Sequence, residues 1–271
     1  MSTKSVDGTV AIVTGGGRGL GRAMVLGLAE AGARVVATAA RERGEIESVA
    51  SEAGPDRVLP LLADVADPAD CGRVVQAARE RFGGLHVLVN NAGRGMKYVS
   101  ERFLEQPTRF WETDPDVWRM VIDSNVNGPF FMTRAAVPVM LEQGWGRVLN
   151  VSMNHATMRR RGFSPYGPSK AALESETIIW AQDLQGTGVT VNALLPGGPT
   201  LTGMIPDGVP DAIRRGLLPP EVMVPPLLWL ASRAADGVTG RRFNASAWQP
   251  DRDDDANVAA ITEVAGWTGE R

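Results

Sequence analysis

A tyrosine and a lysine four positions apart, Tyr166 and Lys170, are the residues that most clearly suggest chemistry. Ser164 and Pro165 precede them, and this order predicts an N-cap followed by proline at the first helical position. Residues at i and i+4 share one helix face, so an ammonium would lie beside a phenol. The ammonium and the helix N-terminus both favour the phenolate, which otherwise forms only near pH 10. The pair is predicted to transfer a proton near neutral pH, although alone it would be an ordinary surface pair.

A glycine-rich turn lies between the first apolar run and a segment of good helix formers. Glycines allow the backbone to turn tightly and approach a pyrophosphate, whose charge the start of the next helix attracts. A connector that binds nothing is the alternative reading of such a turn. The turn has the sequence Thr14-Gly15-Gly16-Gly17-Arg18-Gly19-Leu20-Gly21.

Further motifs follow this turn in a fixed order. They are Asn90-Asn91-Ala92-Gly93, Asn125-Val126-Asn127-Gly128, Tyr166-Gly167-Pro168-Ser169-Lys170 and Pro196-Gly197. With the TGxxxGxG spacing of the glycine turn, they resemble the short-chain dehydrogenase/reductase family from about residue 9 to residue 204. The resemblance implies a Rossmann-type sheet of about seven strands, a nicotinamide cofactor and reversible hydride transfer between an alcohol and a carbonyl.

The resemblance also assigns roles to individual residues. Tyr166 would exchange a proton with the substrate oxygen, and Lys170 would hold the nicotinamide ribose and link through water to the Asn125 backbone. Thr200 and Thr202 straddle the position of a threonine that contacts the carboxamide, and Thr200 is the choice made here. The remaining cofactor-binding residues implied are Gly15, Gly17, Arg18, Gly19, Leu20, Gly21, Arg41, Asp64, Val65, Asn91, Ala92, Gly93, Pro196 and Gly197.

The end of the second predicted strand distinguishes NADP(H) from NAD(H). An acidic residue there would bind the ribose 2′-hydroxyl, whereas an arginine would accept a 2′-phosphate. The chain reads Thr38-Ala39-Ala40-Arg41 at this point, with no carboxylate. Arg41 is placed to pair with a phosphate, and Arg18 is on the same side. NADP(H) is therefore favoured and NAD(H) stays possible, because either arginine could instead be a solvated surface residue.

The serine that usually binds the substrate oxygen in this family is missing from its expected position. Counting 13 residues back from Tyr166 gives Met153. Ser152 is one position early, and alternation along a strand would direct it to the opposite face unless the strand has already ended. Three readings remain: Ser152 serves after a one-residue shift, Asn154 or His155 serves instead, or the protein binds a dinucleotide with little turnover. Losing one oxygen ligand costs roughly 10² to 10³ in rate, so the choice matters.

Short β-branched runs alternate with helical segments along the chain. The runs are apolar almost throughout, which is typical of parallel strands buried on both faces. They predict an α/β fold, a doubly wound and mostly parallel sheet in a single domain spanning residues 1–271, with ligands at the carboxyl ends of the strands. The predicted strands are Thr9 to Val13, Arg34 to Ala37, Val58 to Leu62, His86 to Val89, Arg147 to Val151 and Val189 to Ala193.

Three segments depart from this alternation of strands and helices. Residues 94–118 form an aromatic, loop-like insertion that would wall a substrate pocket, cover the sheet edge or contact another subunit. Residues from about 198 to 217 contain the glycines and prolines of a substrate lid. The tail, 243–271, carries an acidic run and is suggested to reach a neighbouring subunit.

Arg159-Arg160-Arg161 is either a solvated basic loop or a contact for an acidic substrate or carrier protein.

Composition narrows the possible partners to small molecules. The net charge of −3 gives no basic surface for nucleic acid or an anionic membrane, and no apolar run reaches membrane-spanning length. A single cysteine, Cys71, with His86 and His155 makes a poor metal site and suits a reducing cytoplasm.

Resemblance alone predicts a homodimer or homotetramer. The competing functions are a carbonyl reductase, a dinucleotide-binding sensor or scaffold, and a lyase or epimerase that uses the same tyrosine.

Overall fold

The computed structural model describes residues 5–206 and 214–266, and within them eight strands form one sheet. The strand order is β3-β2-β1-β4-β5-β6-β7-β8, and every neighbouring pair is parallel except β7 and β8. The strands are β1 Val10–Val13, β2 Arg34–Ala39, β3 Val58–Leu62, β4 Val87–Asn90, β5 Gly146–Val151, β6 Val189–Leu195, β7 Arg241–Asn244 and β8 Thr262–Val264. The expectation of a doubly wound, mostly parallel Rossmann-type sheet is confirmed, with one strand more than the seven predicted.

Helices cover both faces of the sheet. Helices α1, α2 and α8 pack on one face, and α3, α5 and α7 pack on the other. The helices are α1 Gly19–Glu30, α2 Arg43–Ala53, α3 Pro68–Phe82, α4 Pro115–Ile122, α5 Gly128–Gln143, α6 His155–Met158, α7 Tyr166–Asp183, α8 Val224–Leu230 and α9 Asp254–Ile261. None of the described helices is long and apolar enough to cross a membrane, and the described residues contain no group of potential metal ligands.

The strand order reverses between β1 and β4, and this reversal locates the ligand crevice. Strands β1, β4, β5 and β6 are buried along their whole length, as their apolar sequences predict. In an open α/β sheet a ligand binds outside the carboxyl ends of the strands, next to such a reversal. The glycine turn follows β1, and the segment beginning at Asn91 follows β4, so both flank the crevice.

The tail contributes a strand to this chain's own sheet. Residues 262–264 form β8, which pairs antiparallel with β7, and the side chain of Asp253 caps α9 by accepting the N–H of Ala256. The suggestion that the tail also reaches a neighbouring subunit stays a prediction. Residues 267–271 lie outside the described part of the chain.

The insertion at 94–118 is partly helical and packs beside the candidate active site. Its last residues begin α4, and its middle contacts the loop before α7. The Phe103 and Phe163 rings are 5.9 Å apart, and the Thr108 hydroxyl donates to the carbonyl oxygen of Gly162 over 2.8 Å. Of the proposed lid, residues 207–213 lie outside the described part, and 199–201 are tied to Leu218 by backbone hydrogen bonds.

Candidate active site

The turn after β1 adopts a backbone conformation that requires glycine. Gly15 and Gly19 have φ angles of 63° and 52°, which disfavour other residues. A side chain at Gly21 would collide with the carbonyl oxygen of Gly15, and one at Gly17 would lie 2.8 Å from the Cβ of Glu45. The first turn of α1 therefore packs directly on the glycine turn, with α2 close behind it.

The start of α1 is open to an anion. Arg18 occupies the N-cap position without a side-chain cap, and the first turn contains no acidic residue. The first N–H groups of a helix lack intrahelical partners, so they attract negative charge. Leu20 packs against the core and fixes the helix on the sheet. A glycine cradle with uncapped amides fits the pyrophosphate of a dinucleotide.

Thr14 joins the glycine turn to the Asn91 segment. Its hydroxyl oxygen accepts the N–H groups of Asn91 and Ala92 over 3.0 and 2.9 Å. The Asn91 amide donates back to the carbonyl oxygens of Thr14 and Gly15 over 2.8 and 3.0 Å. At Gly93, a Cβ would lie 3.1 Å from the side-chain oxygen of Asn125. Two motifs some 75 residues apart thus form one surface, and Thr14, to which the sequence assigned no role, connects them.

Two arginines lie where the adenosine end of a cofactor is expected. Arg41 follows β2 and is exposed. Arg18 is also exposed, and its guanidinium is 3.5 Å from the carboxylate of Glu45. Glu45 lies in the first turn of α2, so the residues at the end of β2 gave no indication of this negative group. The positive charge available for a 2′-phosphate therefore comes mainly from Arg41.

Asp64 and Val65 lie directly beyond the carboxyl end of β3. The Asp64 carboxylate accepts the N–H of Ala66 over 3.0 Å, and its own N–H donates to Asp70 over 2.8 Å. Val65 is buried against Gly128, where a Cβ would lie 2.7 Å from a Val65 methyl group. Both residues are therefore held firmly at the edge of the crevice.

The turn after β6 completes the crevice from the other side. Gly197 in the Pro196-Gly197 pair has a φ of 94°. Thr200 is buried and donates its hydroxyl to the carbonyl oxygen two residues earlier over 3.0 Å. Thr202 instead faces the glycine turn, because a Cβ on Gly19 would lie 3.1 Å from the Cβ of Thr202. The geometry favours Thr202 over Thr200 as the threonine of the crevice.

Tyr166 is the first residue of α7, as the sequence predicted, but the expected serine cap is not formed. Pro165 occupies the N-cap position and no side chain caps the helix, so the helix begins one residue later than the cap prediction required. The ammonium of Lys170 is buried and donates to the carbonyl oxygen of Val151 over 2.7 Å. Lys170 thereby ties α7 to the end of β5.

The pKa values of this pair differ from the sequence expectation. Burial raises the pKa of Tyr166 to about 12. Burial also lowers the pKa of Lys170 to about 8, and the negative charge of Glu174 one helical turn away opposes that shift. The expected lowering of the phenol pKa is wrong for this structure, because the ammonium is directed at β5 and does not offset the burial of the phenol.

Asn125 lies in a π-helical turn, Asp123–Asn127, between α4 and α5. Such turns are often found at functional sites. Its side-chain amide donates to the carbonyl oxygen of Arg94 and to the hydroxyl of Ser169, both over 3.0 Å. The Ser169 hydroxyl in turn donates to the carbonyl oxygen of Tyr166 over 2.7 Å. Asn125 therefore connects the segment after β4 to the first turn of α7, and Ser169 is a further positioning residue that the sequence left unassigned.

The polar residues around Met153 point in different directions. The Ser152 hydroxyl is buried and donates to Glu174 over 2.5 Å. The Asn154 amide donates to the carbonyl oxygen of Gly197 over 2.9 Å, toward the crevice. His155 lies 3.4 Å from a nitrogen of Arg242, and burial followed by that positive charge lowers its pKa. β5 ends at Val151, so strand alternation does not set the direction of Ser152. The geometry does not favour Ser152 as a substrate ligand, because its hydroxyl is engaged by Glu174.

A charged cluster lies behind this segment, formed by the buried Ser152, Glu174 and Arg242 and the exposed Glu263. Arg242 donates to Glu174 over 3.3 Å, to Glu263 over 2.8 Å and to the carbonyl oxygen of Met153 over 2.8 Å. The remaining carboxylate oxygen of Glu174 accepts the backbone N–H of Gly266 over 3.0 Å. The tail thus closes a cluster that supports the backbone at Met153. The sequence signals that could have indicated this cluster are an arginine in a buried strand, Arg242, and a glutamate four residues after Lys170, Glu174.

Comparisons with known proteins agree with this arrangement. The family model described as short chain dehydrogenase matches residues 9–210. A short-chain type dehydrogenase/reductase of Picea abies is 36% identical over 216 residues, which is 76% of this chain and 76% of the relative.

Two solved structures with bound dinucleotides have the same fold. A 3-ketoacyl-(acyl-carrier-protein) reductase of Brucella melitensis, complexed with NADH, superposes with a TM-score of 0.75 at 31% identity over 87% of this chain and 95% of that chain. A protein of Beutenbergia cavernae described as an NAD(P)-dependent gluconate 5-dehydrogenase, with NADP bound, gives 0.76 at 30% identity over 90% and 97%. The chain belongs to the short-chain dehydrogenase/reductase family of NAD(P)-dependent oxidoreductases.

Proposed function

We propose that this protein uses NADP(H) to interconvert a carbonyl group and a secondary alcohol on a small molecule. The observation that carries the proposal is the position of Tyr166 and Lys170 at the start of α7. Lys170 is bonded to the end of β5, and Asn125 links α7 to the crevice beside the glycine cradle. A proton-transfer group thus lies next to a dinucleotide cradle.

In the proposed reaction the Tyr166 hydroxyl gives its proton to the carbonyl oxygen, or takes it back in the reverse direction. The nicotinamide, when bound, supplies or accepts the hydride. Lys170 would hold the nicotinamide ribose when the cofactor is bound, while Asn125 fixes the first turn of α7 through Ser169. The glycine turn and Arg18, Leu20, Arg41, Asp64, Val65, Asn91, Ala92, Gly93, Pro196 and Gly197 hold the dinucleotide, with Thr202 preferred to Thr200.

The substrate oxygen needs a second hydrogen-bond donor. Asn154 is the candidate we favour over Ser152, because its amide already lies beside the Gly197 turn of the crevice. The Ser152 hydroxyl is committed to a buried carboxylate. Replacing Asn154 by Ala is expected to lower kcat by about 10² if the amide binds the developing oxyanion.

A preference for NADP(H) is proposed from Arg41, which is exposed and directly follows Thr38-Ala39-Ala40, none of which is acidic. Fluorescence titration of the protein with NADPH and NADH tests it. Arg41→Ala should weaken NADPH binding by about tenfold and leave NADH binding unchanged, because only the phosphate contact is lost. Tighter binding of NADH by the unaltered protein would refute the preference.

A dinucleotide-binding sensor or scaffold is the second candidate, favoured by Met153 and by the engaged Ser152 hydroxyl. A panel of ketones with NADPH, run on the parent and on Tyr166→Phe, separates the two functions. The reductase proposal expects turnover that falls at least about 10²-fold in the variant. Dinucleotide binding without turnover of any ketone favours the sensor, and full activity in the variant contradicts the mechanism.

The remaining proposals concern assembly and location. A homodimer or homotetramer is proposed, and the exposed apolar side chains of α5 and α7, Phe130, Leu141 and Ile179, support it. Light scattering after size-exclusion chromatography measures the assembly directly. The single cysteine, which is buried, fits the proposed cytoplasmic location.

A further inference from the structure

Arg94 follows Gly93 directly and is held in a fixed position beside the candidate catalytic residues. Its N–H donates to the side-chain oxygen of Asn125 over 2.7 Å, and its carbonyl oxygen accepts the Asn125 amide over 3.0 Å. The same amide bonds Ser169, whose hydroxyl bonds the carbonyl oxygen of Tyr166. Two side chains therefore fix the Arg94 backbone relative to the first turn of α7.

The side chain of Arg94 is also oriented before any ligand binds. Its Nε donates to the Ser124 hydroxyl over 3.1 Å, and its guanidinium carbon lies 5.0 Å from the centre of the Tyr98 ring. These two contacts set the plane of a half-buried guanidinium. The two terminal amino groups make no hydrogen bond to the described residues. An oriented guanidinium presents these groups as a fork that matches a planar carboxylate.

The neighbouring arginines show that this arrangement is unusual for the segment. Arg102, Arg109 and Arg119 each pair with a carboxylate three residues away, at 3.2, 3.4 and 2.6 Å. In the described part of the chain, Arg94 lies within 4.0 Å of no carboxylate. Among the described residues, these solvated arginines have acidic partners, whereas Arg94, which is linked to Tyr166 through Asn125 and Ser169, has none.

The position of Arg94 places it in the substrate side of the crevice. Its neighbour Gly95 lies under the described part of the lid, because a Cβ there would be 3.2 Å from the sulfur of Met204. Two residues before Met204, Thr202 packs on Gly19 of the glycine turn. Arg94 thus lies between the lid and the Asn125 to Tyr166 connection.

We propose that Arg94 binds a carboxylate on the substrate, so that the enzyme acts on oxo acids and their hydroxy acids in preference to neutral ketones. This inference rests on the proposed carbonyl reduction and specifies its substrate class. A carboxylate held by the Arg94 fork would leave the carbonyl carbon of the same molecule near Tyr166. Arg94 is then a specificity-determining residue that takes no part in proton transfer.

The test compares oxo acids with their methyl esters, which keep the carbonyl and remove the charge. The probes are 2-, 3- and 4-oxopentanoate and the corresponding methyl esters, with NADPH. For at least one pair, the parent should favour the acid, and Arg94→Gln should lower kcat/KM for that acid by about 10- to 100-fold, mostly through KM. The ester should change less than about threefold, and Arg94→Lys should give an intermediate loss. Arg102→Gln, in the same segment, is the matched control and should behave as the parent.

Binding measurements separate failure of this inference from failure of the proposed function. Tyr166→Phe and the double variant Tyr166→Phe/Arg94→Gln are titrated calorimetrically with the same acids and esters in the presence of NADP⁺. Tighter binding of an acid than of its ester that disappears with Arg94 supports the carboxylate site, even if the parent turns over no ketone. Equal losses for acid and ester, or no preference for any acid in the parent, overturns it. Unchanged thermal unfolding temperatures exclude misfolding of the variants.

Discussion

Two glutamates of α7, Glu174 and Glu176, lie two residues apart and have opposite surroundings. Glu174 is 0% exposed, and its carboxylate accepts hydrogen bonds from Ser152, Arg242 and the backbone of Gly266. One carboxylate oxygen of Glu176 is also out of contact with water, yet it has no hydrogen-bond partner among the described residues. Burial raises the pKa of Glu176 to about 7.

The difference follows from helix geometry. Residues two apart in a helix point about 200° apart, so one glutamate faces the sheet and the other faces away from it. On the sheet side, the cluster formed with Arg242 and the tail provides every partner within one chain. On the outer side, Glu176 lies on the same helix as Ile179, which is 52% exposed. The helix that carries Tyr166 is thus fixed by charge on one face and left without polar partners on the other.

Of the changes proposed for these two glutamates and their partners, removing Arg242 should change the unfolding free energy most. Arg242→Met leaves the Glu174 carboxylate buried without its cation, and breaking a buried pair in this way costs about 3–5 kcal/mol of unfolding free energy. Because Arg242 also donates to the carbonyl oxygen of Met153, kcat should fall as well. Urea unfolding and steady-state kinetics measure the two effects.

Arg241→Met is the matched control, since the neighbouring side chain is exposed and should change stability little. Adding Glu174→Leu to Arg242→Met removes the buried, unpaired carboxylate and should restore part of the lost stability. Equal losses in Arg241→Met and Arg242→Met would show that the charged cluster contributes nothing specific.

Glu176→Gln should raise the unfolding free energy, whereas Arg242→Met should lower it. The unfolded carboxyl ionises near 4.5, whereas the folded one stays protonated until about pH 7, so the parent loses stability as pH rises between these values. The glutamine side chain of the variant does not ionise, so the variant avoids this loss of stability. The variant should therefore match the parent below pH 4.5 and be more stable by about 1–3 kcal/mol above pH 7. Thermal unfolding from pH 4 to 8 measures the difference. Glu30→Gln, at an exposed position, should show no such trend, and a pH-independent gain at Glu176 would disprove the assigned cause.

Much of the fold could be predicted because its signals are local. Apolar runs marked six of the strands, and the glycine turn, the Asn91 segment and Tyr166 with Lys170 follow strands or begin helices as expected. The apolar runs missed β7 and β8, because Arg241–Asn244 and Thr262–Val264 contain no such run. β8 becomes a strand only by pairing with β7. A strand whose partner decides its conformation leaves little trace in its own sequence.

The unpredicted parts of the site depend on contacts between distant residues. The choice between Thr200 and Thr202 requires the path of the lid across Gly19, and the role of Glu45 requires the packing of α2 on the glycine turn. The pKa of Tyr166 is raised by burial of the phenol, which spacing on a helix does not specify. Motif spacing thus identified which residues gather at the crevice, whereas side-chain direction needed the structure.

Ser152→Ala should have the smallest effect and tests the inner face directly. It removes one hydrogen bond to the Glu174 carboxylate, which should cost about 1–2 kcal/mol because Arg242 and the Gly266 amide still bind that group. If the hydroxyl serves only the cluster, kcat should stay within about threefold of the parent while the urea midpoint falls. A loss of about 10² or more in kcat with little change in stability would instead identify Ser152 as the ligand of the substrate oxygen. Asn154→Ala, measured alongside, shows which of the two donors acts on the substrate, since only a donor that faces the reacting oxygen can change kcat without changing stability.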